Sequence, residues 1–382
     1  MTPHSSRGTV AAIALTVIAM AAFLVMPLYV GAAAESHALS QQQLGFLAAC
    51  VAGGSAVSSV AMMFLVRRFP WRPMGAITVL LLLVPMSASL FVEDTLTFMV
   101  LQTIAALGGG ATYSLALTAL ADSPHPDRAF GFSIAAQVAF QVTGMLILPN
   151  IVEGAGINGI LCLFIGMEIL GLGLVWLLPS GGKKTTAVTS RALVSRLPLA
   201  LALAGCFFFF FNVGAVWTYL ERMAVLSGFS PQDIGNALAM GVAVGIPGAL
   251  LASWCGDRFG RVVPLTVGTL GTLAALFMLT VEMAYVAYVL AIALYNFMWN
   301  FSLAFQYAAV NAVDSSGRGV AAAPAFHGAG AAVGPALAAF YVSSTSLVAV
   351  NWLAGAAVIL SLLLFAGAMA YSRGNRGNTQ ER

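Results

Sequence analysis

The sequence predicts an all-α membrane protein whose twelve transmembrane helices form two six-helix bundles. The chain of 382 residues is 60% apolar and only 8% charged, whereas a soluble domain carries about 25% charged residues. Twelve stretches of the chain approach or exceed the length of about 20 mostly apolar residues that a bilayer crossing needs. Identical residues also recur 190 positions apart, which indicates that one six-helix unit occurs twice.

The repeat keeps its order along the chain. The matched pairs are Tyr29 and Tyr219, Ser40 and Ser230, Gln42 and Gln232, Gly45 and Gly235, Arg128 and Arg318, and Gly144 and Gly334. We therefore predict an N-terminal bundle over residues 1–178 and a C-terminal bundle over 197–371. A cytoplasmic linker over 179–196, rich in Gly, Lys, Ser and Thr, joins the bundles, and a polar, disordered tail covers 372–382.

The predicted transmembrane helices, numbered here as spans 1 to 12, follow the apolar stretches in order. The spans cover 10–32, 43–66, 74–92, 95–121, 129–152, 158–178, 197–222, 232–255, 262–281, 284–312, 320–342 and 345–371. A cleaved signal peptide at 9–34 is the alternative for span 1. However, its apolar run is longer than a usual signal core, and the repeat aligns this stretch with span 7.

The basic residues predict the orientation of the chain in the membrane. Of the 16 Lys and Arg residues, only Arg222 falls on the side opposite to the two termini. Because cytoplasmic loops carry the excess of Lys and Arg, we expect both termini in the cytoplasm. The expected location is therefore the plasma (inner) membrane, crossed many times.

A short charged turn between spans 8 and 9 reads Gly256-Asp257-Arg258-Phe259-Gly260-Arg261. It resembles motif A of the major facilitator superfamily, Gly-x-x-x-Asp-Arg-x-Gly-Arg-Arg, although Val262 replaces the last basic residue and Ser253 the first glycine. A less complete copy of this turn, which keeps Arg67 and Arg68, joins spans 2 and 3. The resemblance implies a gating loop made of Asp257, Arg258, Gly260, Arg261, Arg67 and Arg68.

We expect Asp257 to lie at the positive N-terminal end of span 11, where a carboxylate is favoured. Arg258 or Arg261 would then pair with Asp314 or Asp122. Such a latch would exist only while the cytoplasmic side is closed. The alternative is that the arginines serve topology alone and that Asp257 only caps a helix.

Span 10 carries the most polar face of the predicted spans, within an arc of roughly 140°. Its polar residues are Asn296, Trp299, Asn300, Gln306, Tyr307 and Asn311. Because unpaired polar groups are costly in hydrocarbon, this face must meet another helix or water. In the family that the chain resembles, spans 1, 4, 7 and 10 line the pore. The implied substrate cavity comprises Tyr29, Gln102, Tyr113, Asn212, Trp217, Tyr219, Asn296, Trp299, Asn300 and Tyr307.

Each polar feature also has a structural alternative. The face of span 10 could serve only hydrogen bonds between helices, and Trp217 and Tyr219 could belong to an interfacial aromatic belt. Ionisable groups within spans mark functional sites by default, so Glu221, His327 and Glu168 are the proton-coupling candidates. Their alternatives are a rim ion pair of Glu221 with Arg222, a neutral buried histidine, and a hydrogen-bonded structural acid.

These features predict a secondary active transporter that moves a small organic solute by alternating access. The chain has no Gly-x-x-x-x-Gly-Lys-Ser/Thr loop for ATP, so a solute or ion gradient must supply the energy. Its compact layout is similar to the drug and sugar-efflux antiporters, which favours proton-coupled efflux. However, Gln102 replaces the arginine of motif B, and Gly144-Met145 replaces the Gly-Pro of motif C. Uptake of a sugar, aromatic acid or other small metabolite is the alternative.

Other classes of function fit the sequence poorly. An enzyme is not expected, because no His-Glu-x-x-His or Gly-x-Ser-x-Gly motif is present. We expect no cofactor and no metal, since the four cysteines lie in apolar runs without a Cys-x-x-Cys pair. The expected partners are a small-molecule substrate, a proton or other ion, and the lipid bilayer. No nucleic acid is expected, and the protein is expected to be a monomer.

Overall fold

The structure is a computed structural model that describes residues 6–181, 196–279, 283–314, 318–343 and 346–380. Within these ranges the regular secondary structure is helical. The chain forms two compact units, Met1–Ala187 and Val188–Arg382. The boundary falls within the predicted linker, most of which, residues 182–195, lies outside the described residues.

The first unit contains six helices and two short 3-10 turns, Ser89–Phe91 and Val175–Leu177. The helices are α1 (Ser6–Leu24), α2 (Met26–Ser36), α3 (Gln41–Leu65), α4 (Trp71–Ala88), α5 (Thr95–Ala121) and α6 (Pro126–Leu174). The second unit contains α7 (Arg196–Leu226), α8 (Pro231–Cys255), α9 (Val262–Met278), α10 (Tyr285–Val313), α11 (Arg318–Ala338) and α12 (Val348–Gln380).

The described helices cover all twelve predicted spans, but two boundaries differ in the first unit. Span 1 is divided into α1 and α2 at Val25, where φ is −111° and ψ is 26°. Pro27 explains this break, because proline has no N–H to donate and its ring obstructs the preceding turn. Spans 5 and 6 are joined within α6 by a kink at Gly156, whose φ of 59° suits a residue without a Cβ.

Length and composition support the crossings. Among the described residues, nine helices are long and apolar enough to cross a membrane, and the one over Arg128–Leu177 holds two spans. The 17-residue α9 is slightly shorter, and α11 contains Pro324 and Pro335. Large apolar side chains are exposed on the outer faces, such as Phe91 (86%), Phe277 (85%) and Trp352 (76%), as suits contact with lipid tails.

The helix α12 extends further than the sequence predicts. It continues to Gln380, whereas the residues from 372 onward were expected to be disordered because they are polar. Extending an existing helix fixes one residue per added hydrogen bond and so costs far less than starting a new one. This explains how a polar segment can remain helical after an apolar span.

The repeat is visible in the pattern of burial. Ten of the eleven buried residues of α10 fall, 190 positions earlier, on a buried residue of α5; the exception is Ala291, opposite Leu101. The capping serines correspond as well. Ser40 accepts from the backbone N–H of Gln43 at the start of α3, and Ser230 accepts from Asp233 at the start of α8. The two units therefore share the burial pattern of α5 and α10 and the serine caps of α3 and α8.

Glycines allow helix backbones to touch within each unit. A Cβ at Gly330 or Gly334 of α11 would collide with the carbonyl oxygens of Phe207 and Phe211 in α7. In lipid, where helices gain little from hydrophobic burial, such close packing is a main source of association. The contact between α7 and α11 therefore depends on the absence of side chains at these positions.

We expect Gly334→Ala to destabilise the protein by about 1–3 kcal/mol, the usual cost of overpacking. Gly166→Ala is the matched control, since Gly166 is exposed in α6 and a Cβ there meets nothing within 4 Å. The control should be neutral or stabilising by up to about 1 kcal/mol, the difference in helix propensity. Thermal unfolding in detergent measures both, and equal effects would contradict the packing argument.

Candidate functional site

An aromatic cluster occupies the second unit, where α7, α10 and α11 meet. Trp299 makes edge-to-face contacts with Phe210 and with Trp217, each at 6.1 Å between ring centroids. Phe210 in turn stacks on the imidazole of His327 at 4.1 Å. The hydroxyl of Tyr307 lies 3.4 Å from Nδ1 of His327. We call these five residues the aromatic cluster.

Amide side chains extend this cluster along α10. Nδ2 of Asn300 donates to the carbonyl of Asn296 at 2.9 Å, and Nδ2 of Asn296 donates to that of Ile292 at 3.1 Å. Both bonds run back along the same helix and leave the Oδ1 atoms as acceptors for another group. Asn296 is buried and Asn300 half-buried, so this face does not simply point at lipid.

Several buried polar atoms in this unit have no hydrogen-bond partner among the described residues. They include both amide atoms of Gln306, Nε2 of His327 and the hydroxyl of Tyr295. Asn212 lies beside Tyr295, but the two side chains form no well-aligned hydrogen bond. Since buried polar groups are nearly always hydrogen-bonded, these atoms are candidates for binding water or another group.

Glu221 and Arg222 form an ion pair inside the unit. The carboxylate accepts from the guanidinium at 2.5 and 2.7 Å, and both residues are buried. The pair lies within the last two turns of α7, which ends at Leu226, so the structure has the predicted ion pair, with both side chains buried. Trp217 and Tyr219, at 1% and 0% exposure, do not fit an aromatic belt at the membrane surface.

The predicted cavity residues of the first unit lie at different depths. Tyr29 is fully buried in α2 and contacts Phe164, with 5.9 Å between ring centroids. Gln102 is buried and donates to the hydroxyl of Ser89 at 2.8 Å. Tyr113 is half-buried and lies beside Gln137. The first unit therefore does not gather these three residues into one cluster.

Glu168 lies in the second half of α6 and is only 2% exposed. Its Oε2 has no hydrogen-bond partner among the described residues. The carboxylate lines a small cavity together with Gln102. The alternative of a hydrogen-bonded structural acid is therefore not supported at this oxygen.

The proposed gating loop contains two glycines with positive φ, Gly256 at 52° and Gly260 at 66°. Asp257 is exposed, and no described residue donates a hydrogen bond to its carboxylate. The N-terminus of α11 is instead capped by Asp314, whose Oδ2 accepts from the backbone N–H of Gly319. Asp314 is favoured there because it lies only five positions before Gly319, so bringing the two together costs little loop-closure entropy.

In the first unit, the corresponding loop between α3 and α4 forms a salt bridge. Arg67 donates two hydrogen bonds to Asp122, at 2.5 and 2.9 Å, and so joins the end of α3 to the end of α5. The guanidinium also lies over the ring of Trp71, 5.8 Å from its centroid. Both oxygens of Asp122 therefore accept from an arginine of the same unit, and the pairing of Asp122 with Arg258 or Arg261 stays a prediction.

Some functional candidates were missed at the level of sequence. Phe210 contacts Trp299 and His327 of the aromatic cluster, and Tyr295 directly precedes Asn296 on α10, but neither was among the predicted cavity residues. Gln306 was predicted on the polar face of span 10 but not in the cavity. Phe210 was hidden in the run Phe207–Phe211, which signals only an apolar span. In the part of the chain that the structure describes, no group of three His, Cys, Asp or Glu residues could hold a metal ion.

The family model described as Major Facilitator Superfamily matches residues 11–323, most of the chain. The chain therefore belongs to the major facilitator superfamily, and it is a multi-pass membrane transporter rather than an enzyme. Comparison with curated protein sequences returns no match. The family assignment confirms the resemblance that the turn at Asp257 indicated.

Solved structures confirm the fold over nearly the whole chain. A bacterial homologue of the human lysosomal transporter Spinster, inward-facing and occupied, has a TM-score of 0.73 at 14% identity, covering 98% of each chain. The xylose transporter XylE from E. coli has a TM-score of 0.72 at 15% identity, covering 93% of this chain and 94% of that one. The nucleoside transporter NupG has a TM-score of 0.73 at 12% identity, covering 95% and 98%.

We expect Arg67→Gln to destabilise the protein by about 1–3 kcal/mol, because it leaves the buried Asp122 carboxylate without its main donor. Arg68→Gln is the control, since Arg68 is an exposed neighbour in the same loop. A double-mutant cycle with Asp122→Asn should give a coupling energy of about 0.5–3 kcal/mol. Additive effects in thermal unfolding would show that the pair contributes nothing.

Proposed function

We propose that the protein is a secondary active transporter that exports a small organic solute in exchange for protons by alternating access. The observation that carries this proposal is the wall formed by the aromatic cluster and the amides of α10. A purely structural wall would pair its polar atoms internally. Here Gln306 and His327 keep unpaired atoms within the described part of the chain.

The wall favours an uncharged solute that has both a flat apolar face and hydrogen-bonding groups. The half-buried Trp299 offers its indole ring for stacking, while Asn300 offers an amide oxygen. Glu221 and Arg222 follow Trp217 by about one helical turn on α7, and these two charged side chains pair with each other. They therefore present little net charge with which to recognise an ion.

The direction of transport and the membrane location are also part of the proposal. The one-sided distribution of Lys and Arg supports two cytoplasmic termini in the plasma (inner) membrane. The compact layout supports export, and uptake is the alternative. Proteoliposomes in which the protein has a single orientation separate the two directions. A pH gradient that is acidic on the outside would drive solute out of the vesicles through an exporter and into them through an uptake system.

The binding proposal is tested by thermal unfolding of the purified protein with two neutral and two charged probes. The neutral probes are uridine and D-xylose, and the charged probes are benzoate and tetraphenylphosphonium. A ligand at 100 times its Kd raises the free energy of unfolding by about 2.7 kcal/mol. We expect stabilisation by at least one neutral probe, whereas binding of the charged probes alone would overturn the proposed solute class.

Asn300→Ala should abolish the stabilisation by the bound probe, because it removes the free amide oxygen of the wall. Asn311→Ala is the matched control, since Asn311 is an exposed amide on the same helix and should leave the stabilisation unchanged. Equal losses in the two variants would mean that the probe does not bind at this wall. Both unfolding temperatures are measured without the probe as well, to correct for effects on the fold.

For the gating loop, we expect Asp257→Asn to lower transport severalfold without changing expression, since an exposed carboxylate contributes little to stability. Glu93→Gln replaces another exposed acid, in the loop before α5, and should have no effect. Transport of the probe that binds is measured in proteoliposomes. If the two variants transport at the same rate, Asp257 has no role in gating.

A further inference from the structure

A small cavity lies inside the first unit beside Glu168. Its walls come from α1, α3, α4, α5 and the second half of α6. The volume open to the centre of a water-sized sphere is about 30 Å³, and a single water needs about 10–15 Å³ by this measure. The cavity can therefore hold one or two waters, but not an organic solute.

The polar atoms around the cavity are suited to a cation. Ser89 uses its hydroxyl proton to donate to the carbonyl of Pro85, so it must accept from Nε2 of Gln102. This fixes the amide and leaves Oε1 of Gln102 as an acceptor. Ser55 donates to the carbonyl of Ala106 and keeps its lone pairs. Together with Oε2 of Glu168, the lining offers acceptors, and none of the described lining residues is Lys, Arg or His.

The groups facing Glu168 from the surrounding helices are almost all neutral. Lining residues of α1, such as Ile18 and Phe23, and of α4, such as Leu82, carry no ionisable side chain. The exception is Tyr29 of α2, whose buried hydroxyl has no described partner and interacts electrostatically with Glu168. Glu168 therefore lies beside the point where span 1 is divided. It shares the cavity with residues of α1 and interacts with Tyr29 of α2.

The repeat shows that the scaffold does not need polar residues here. At an offset of 190, Glu168 corresponds to Val358 and Gln102 to Ile292, and both apolar residues are fully buried at 0% exposure. Burial supports this alignment on both sides of Glu168. Phe164 corresponds to Ala354 and Val175 to Phe365, and all four residues are buried. The same positions can thus be filled by hydrocarbon, and an unpaired acid in the first unit requires another reason.

We infer that Glu168 and this cavity form the site at which the coupling proton binds. The proton enters from water held in the cavity, bonds to a carboxylate oxygen and leaves Glu168 neutral; it departs by the reverse step. Ionisation of Glu168 restores a negative charge next to Tyr29 and the end of α1. This charge changes the electrostatic interactions at the junction of α1 and α2. This inference rests on the proposed transport function for its role, but the protonation itself can be measured without a solute.

Infrared spectroscopy of the purified protein, titrated with acid and base, tests the site directly. A protonated carboxylic acid absorbs separately from carboxylates, and a buried one should give a titrating band in the wild type. Glu168→Gln and Glu168→Val should both lose this band. Glu153→Gln replaces an exposed acid of the same helix and should keep it. Retention of the full band in both Glu168 variants would overturn the inference.

Two further outcomes are informative. If replacing choline chloride by NaCl shifts the titration of the band, the site binds Na⁺ and the proton assignment is wrong. Glu168→Val should also unfold no earlier than the wild type, because it removes an unpaired buried acid. If both Glu168 variants unfold on purification, the acid is structural and the inference fails.

Transport separates this inference from the function it rests on. With the probe that binds in the unfolding assay, Glu168→Gln should lose accumulation driven by a pH gradient and keep exchange of solute across the membrane without a gradient. Retention of both activities would overturn the coupling role. Absence of exchange in the wild type would instead overturn the proposed function, and the infrared result would stand unchanged.

Discussion

Polar groups must be paired inside the protein wherever the surrounding solvent is hydrocarbon, and this constraint explains most of the molecule. The backbone satisfies it by forming helices throughout the crossings. The side chains satisfy it by turning inward, as Gln102 does toward Ser89 and Glu221 toward Arg222. Where a buried polar atom is left without a described partner, as at Glu168 or Gln306, the same constraint makes that atom a candidate for function.

The two units show what a shared scaffold fixes and what it leaves open. The buried positions of α5 and α10 correspond almost completely, so packing is common to both copies. The polar residues are not: the first unit holds Glu168 where the second holds Val358. In our proposals the first copy binds the coupling proton and the second recognises the solute. Such a division is possible because buried polar groups can diverge once the packing of the helices is secured.

The cytoplasmic loops diverge in a similar way. In the first unit, Arg67 joins the ends of two helices through a salt bridge to Asp122. In the second unit, Asp314 caps the helix that follows it by a backbone hydrogen bond. Each aspartate at the end of a span accepts hydrogen bonds, Asp122 from the side chain of Arg67 and Asp314 from the backbone N–H of Gly319.

The sequence by itself determined the class of fold, the twelve crossings and the internal repeat, because hydropathy and spacing are properties of the chain alone. It also located Asn300, Trp299 and Glu168 as polar groups within spans. Only the tertiary structure decided their partners, since a hydrogen bond or a ring contact depends on where helices far apart in the chain meet. Phe210 shows this well: its sequence neighbours are all phenylalanines, and its contact with His327 of α11 distinguishes it from them.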